Sequence, residues 1–150
     1  MELFHGTDLL AVGEILQNGL KSGYDGNIWV YNQISLTPSI AMMLSNKGVK
    51  DSNLLPNNLQ IESAMWQTYM NIDCGIIKID TRGIVDYTGC NGRHIFGIKQ
   101  DWIAPQWLQF VGGYNRQTQK IEPIDIAPFE RIYNAIMSAK NNIKINIKTS

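Results

Sequence analysis

A chain of 150 residues, 44% of them hydrophobic, is sized for a single domain over residues 1–150 with one core. Thirteen basic residues balance thirteen acidic ones, so no global field draws the protein to phosphate backbones or anionic lipid. Cys74 and Cys90 are too few for a disulfide scaffold or a zinc cage, and no apolar run approaches the ~18 residues that span a bilayer. Neither a metal nor a membrane is expected, and with Met1-Glu2-Leu3 leading straight into a strand pattern the expected compartment is the cytoplasm.

Glu2 to His5 reads as a short strand. Asp8 then caps a helix whose apolar residues Leu9, Val12, Ile15 and Leu16 recur at three- and four-residue spacings, and Asn18-Gly19 stops it in a left-handed turn. Gly23-Tyr24-Asp25-Gly26 is a loop, after which Ile28 to Tyr31 and Ile34 to Leu36 read as extended. Thr37-Pro38 opens a helix that turns Ile40, Ala41, Met43 and Leu44 to the core, Lys47 to Asn58 forms a long polar loop, and a helix follows over Leu59 to Met70. From Gly75, Ile77 and Ile79 alternate with Lys78 and Asp80 as in a strand with one wet face. Further strands are expected at His94 to Ile98, Gln106 to Val111 and Lys120 to Ile126, broken by Ala104-Pro105 and Gly112-Gly113. A helix over about Phe129 to Ala139 and a terminal strand at Ile143 to Ile147 complete an α+β chain with mainly antiparallel pairing and helices packed around the sheet.

Chemistry concentrates at the start. Leu3-Phe4-His5-Gly6-Thr7 sets one of only two histidines beside a glycine and a hydroxyl at a strand exit, where backbone amides and a side-chain donor face a ligand with no Cβ in the way. The other histidine, His94, follows Arg93 after the turn dipeptide Asn91-Gly92. Tryptophans 29, 66, 102 and 107 lack interleaved Lys and Arg, so they read as core and sheet residues, and nucleic-acid binding is disfavoured.

A strand with His-Gly-Thr, a helix ending in Gly19-Leu20, and Ile34-Ser35-Leu36-Thr37 running into a helix with Ala41 together resemble the ADP-ribosyltransferase fold. The opening Met1-Glu2-Leu3-Phe4-His5-Gly6 is also similar to that of phage-encoded anti-CRISPR ADP-ribosyltransferases. The resemblance covers Met1 to about Val111, and only the first forty or so residues are motif-like. It implies NAD as substrate, a protein target in preference to nucleic acid, and a part in phage or bacterial conflict in a host cytoplasm.

By the same resemblance His5 holds a ribose hydroxyl and Gly6 the nicotinamide carboxamide, with Thr7, Ser35 and Thr37 close by and Trp29 or Tyr31 stacked on the nicotinamide ring. The tyrosine that the family carries in the helix after the Ser35 to Thr37 strand is replaced by Met42, Met43 and Leu44. Loss of nicotinamide leaves an oxocarbenium-like sugar that a late-strand carboxylate stabilises. Asp101 is favoured for that role over Glu122 because it lies nearest Ile103-Ala104-Pro105, and Asp125 is the remaining acid of that region. The missing tyrosine and the unmarked carboxylate keep a second reading open, a catalytically degenerate protein of this fold that acts by binding a partner.

Overall fold

A computed structural model describes residues 2–23, 25–34, 71–86, 94–135 and 137–138. Its strands are β1 (Glu2–Thr7), β2 (Leu20–Lys21), β3 (Asn27–Tyr31), β4 (Ile72–Asp80), β5 (Ile95–Lys99), β6 (Trp102–Ile103), β7 (Leu108–Asn115) and β8 (Lys120–Glu122). The helices are α1 (Val12–Asn18) and α2, over residues 127–135. Six strands form one sheet in the order β5-β3-β1-β4-β7-β8, and β2 pairs with β6 in a two-stranded sheet. Every pairing described is antiparallel, as the sequence pattern predicts. Ser35, Thr37 and the helix they lead into, the 47–58 loop, the 59–70 helix and the 143–147 strand lie outside the described residues.

Local chemistry accounts for the first elements. The Asp8 carboxylate accepts from the Leu10 amide at 2.9 Å, starting a 3-10 turn over Leu9–Ala11 that continues into α1. Gly19, at φ 95, closes α1 in a conformation that side chains resist, with its amide on the Ile15 carbonyl. A Cβ there would strike the Trp102 indole, whose N–H donates to the Asn18 carbonyl at 2.8 Å. Helix end and β6 are thereby pinned together.

Alternation along the strands separates two faces. One buries Leu3, Ile28, Val30, Ile77, Ile79 and Ile98 against Ile15 of α1, Leu20 of β2 and Ile103 of β6. Beside it, Leu9, Leu10, Val12 and Ile72 meet Phe129 and Ile132 of α2. The other face buries Phe4, Tyr31, Cys74 and Ile76.

The expectation of a break at Gly112-Gly113 is corrected, because β7 runs straight through the pair. A Cβ on Gly112 would lie 2.5 Å from the Glu122 carbonyl oxygen, and one on Gly113 would lie 2.4 Å from Ile124 Cδ1, so the glycines admit close approach by β8 and the chain after it. The β4–β7 register steps from Ile76↔Gly112 to Ile77↔Phe110, leaving Val111 as the extra residue of a bulge. The expected strand over Lys120 to Ile126 ends at Glu122. Asp125 instead accepts from the Ala127 amide at 3.1 Å, at the start of α2.

Candidate functional site

His5 sits in β1, opposite Ile77 of β4. Its Nδ1 lies 2.7 Å from the backbone carbonyl of Trp29 in β3. A carbonyl only accepts, so Nδ1 carries the proton and donates, which leaves Nε2 as an acceptor while the ring is neutral. Burial holds the ring's pKa below its ordinary value, and the Trp29 carbonyl opposes that with a smaller upward pull. At neutral pH His5 is therefore an uncharged acceptor fixed in one tautomer.

A cleft of about 440 Å³ opens beside it, lined by His5, Lys21, Gly23, Asp25, Asn27, Ile28 and Trp29. That volume falls within the roughly 300–1,000 Å³ of small-molecule sites. Lys21 is exposed and supplies the cleft with a cation. Asp25 supplies a carboxylate gripped by two donors, the Asn27 amide to Oδ1 at 3.0 Å and the Trp29 indole N–H to Oδ2 at 2.9 Å. Those bonds, the Asn27 amide first, hold its pKa below the usual carboxylate range. The turn carrying it closes through Gly23 N–H to the Asn27 carbonyl at 2.9 Å and Gly26 N–H to the Gly23 carbonyl at 3.0 Å, with Gly26 at φ 77.

The two aromatic candidates part company. Tyr31 is buried with Phe4, Cys74 and Ile76, and it does not line the cleft. Trp29 is 43% exposed and borders the cleft through its carbonyl to His5 and its indole to Asp25. Gly6 is buried in the β1–β4 ladder opposite Ile76, and Thr7 pairs with Gly75. Ser35 and Thr37 lie outside the described residues.

The carboxylate candidates also separate. Asp101 is exposed in the turn between β5 and β6, and its carbonyl accepts from the Ser22 amide at 2.9 Å. That bond ties it to the segment whose Lys21 and Gly23 line the cleft. Glu122 belongs to β8, three strands from β1, roughly 14 Å away at ~4.8 Å per strand. Its oxygens accept from Thr118 Oγ1 at 2.8 Å and Asn115 Nδ2 at 3.2 Å. Glu122 is not brought to His5.

A larger cleft of about 700 Å³ lies along Glu2, Lys78, Asp80, Arg82, Trp107 and Gln109. Its cations face carboxylates: Lys78 is 3.5 Å from Glu2, and Arg82 grips Asp80 at 2.6 Å while lying over the Trp107 ring. The Arg82 hydrogen bonds hold Asp80 down at about 2. With its charges mutually satisfied, this surface offers a ligand less than the His5 cleft does. Among the described residues no cluster of His, Cys, Asp and Glu is placed to hold a metal, and no helix is long and apolar enough to cross a membrane.

Asp25 carried no role in the sequence reading. Its Asp-Gly turn was legible, and so was an aromatic four residues on, but only the folded turn brings the carboxylate to the indole and to His5. Comparison of the chain with models of known protein families, with curated proteins and with solved structures finds no match.

Proposed function

We propose that the chain is an ADP-ribosyltransferase that takes NAD as substrate and modifies a protein. The observation that carries this reading is the His5 imidazole, fixed by Trp29 as a neutral acceptor in a cleft that also holds a lysine and an indole. An acceptor for a ribose hydroxyl, a cation for a pyrophosphate and an aromatic border for a planar ring are what a dinucleotide requires. In the reaction the C1′–N bond to nicotinamide breaks, and its electron pair leaves with neutral nicotinamide. A nucleophile of the target bonds C1′ and releases its proton to solvent. A carboxylate on the ribose 2′-hydroxyl stabilises the positive sugar between those events. Asp101 is assigned that role over Glu122, because the Ser22 bond ties its turn to the cleft and Glu122 is engaged elsewhere.

The test combines binding and turnover. NAD at a hundred times its dissociation constant adds about 2.7 kcal/mol to stability, a rise of roughly 5–10 °C in Tm for a domain of this size. His5→Ala should abolish that rise while costing the unliganded protein only about 1–3 kcal/mol through the lost Trp29 bond. Asp101→Asn should reduce nicotinamide release far more than NAD affinity, and Glu122→Gln should change neither. A second reading, binding without transfer, rests on neither Asp101 nor Glu122 lining the cleft among the described residues. A wild-type protein that binds NAD and releases no nicotinamide with any protein substrate supplied favours that reading. One that shows no NAD shift overturns the transferase reading.

A further inference from the structure

Asp25 makes one more bond than its turn requires. Its Oδ1 accepts from the Asn27 amide at 3.0 Å, two residues on, which is the bond that either an aspartate or an asparagine uses to close such a turn. Its Oδ2 accepts from the Trp29 indole N–H at 2.9 Å. An asparagine would close the same turn and set an NH2 against the indole, donor facing donor, so only a carboxylate serves both partners at once. The same two bonds, the Asn27 amide first, keep Asp25 ionised at neutral pH, and a bond to an anion is the stronger kind.

Trp29 is the group that gains. Among the described residues it is the one Trp, Tyr or Phe that lines the cleft, and it is exposed. Exposed side chains exchange rotamers freely, and a ring that swings is a poor wall because a ligand must immobilise it on binding. A hydrogen bond at the indole's single polar atom fixes the plane of the ring before a ligand arrives. The carboxylate that holds it is held in turn, through Gly23 N–H to the Asn27 carbonyl and Gly26 N–H to the Gly23 carbonyl.

Resting on the NAD reading above, we propose that Asp25 is a positioning residue whose effect on the ligand passes through Trp29. It holds the indole as a preformed wall of the cleft, against which a planar ring packs.

Two measurements test this on the wild type, Asp25→Asn, Asp25→Ala, Trp29→Phe and the two double variants, with Tm confirming that each is folded. The first is the Trp29 indole N–H signal in heteronuclear NMR spectra, identified among the four tryptophans as the one that Trp29→Phe removes. Without ligand, both Asp25 substitutions should shift that signal and speed its exchange with solvent. The second is the NAD dissociation constant by calorimetry, which both should raise about three- to tenfold. Trp29→Phe keeps a ring and the main-chain carbonyl that holds His5 but has no N–H to be held. In that background neither Asp25 substitution should change NAD affinity by more than about twofold. A signal unmoved in both folded variants, an NAD affinity that neither alters, or a loss of the same size in the Trp29→Phe background overturns the positioning role and leaves the NAD reading standing. A wild type that binds no NAD overturns the NAD reading and this role with it.

Discussion

Protonation of His5 has a cost that can be read from pH. The unfolded ring takes a proton near its ordinary value of 6.5, whereas the half-buried ring of the folded chain, partly desolvated, resists until lower pH. Between those two values the unfolded state binds more protons, so stability rises with pH there. The His5 contribution is present in full above about 6.5 and is lost as pH falls through the folded value. NAD affinity should fall over the same window, because a protonated Nε2 no longer accepts a ribose hydroxyl. Tm measured against pH for wild type and His5→Gln checks this: the slope below pH 6.5 should flatten in the variant, and an equal slope in both assigns it to another group. At this scale His5 was legible because a histidine beside a glycine at a strand exit is a local pattern. Asp25 was not, because its significance comes from hydrogen bonds that exist only once the turn has folded. Trp29 and Tyr31 share a parity in β3, and alternation alone does not tell that Tyr31 is buried while Trp29 is 43% exposed.

Gly112 and Gly113 mark where strand-level reasoning and packing diverge. A glycine pair reads as punctuation, but here it admits a neighbouring strand. The two positions should respond differently to a methyl group. Gly112→Ala meets a backbone oxygen that cannot step aside and should cost about 1–3 kcal/mol. Gly113→Ala meets side chains only, Ile124 Cδ1 at 2.4 Å, which a rotamer change clears, and Ile72 Cγ2 at 2.9 Å, which must give by a few tenths of an ångström, and should cost less. Urea unfolding of both variants gives the comparison, and an equal or inverted order would show that β8 yields as readily as a side chain. Elements with strong local signals, such as the Asp8 cap, the Gly19 stop and the alternation through Ile77 and Ile79, follow the sequence pattern closely. The bulge at Val111 has no such signal, because it is imposed by the register of two strands against each other.

For the whole molecule, strand order was the part beyond sequence reasoning, since β1 lies between β3 and β4 and its best-matched partner begins some seventy residues further on. The two sides of β1 are unequal. Toward β4 the ladder runs from Glu2↔Asp80 to Thr7↔Gly75, and toward β3 its register is the single pair Phe4↔Tyr31. The His5 ring crosses this thin seam, with a side-chain N–H standing where a ladder bond would otherwise serve the Trp29 carbonyl. Amide hydrogen exchange should therefore divide the sheet. The β3–β5 pair, joined over five consecutive register pairs, should open as one unit and exchange faster than β4. A ligand that engages His5 and Trp29 together should close that seam and slow exchange across β3 and β5 while leaving β7 and β8 unchanged. Removing the imidazole should have the opposite effect on the same amides. His5 is a stitch between two halves of the sheet, so occupancy of the cleft beside it would be recorded as a change in local opening rates that reaches β5, a strand that does not line the cleft.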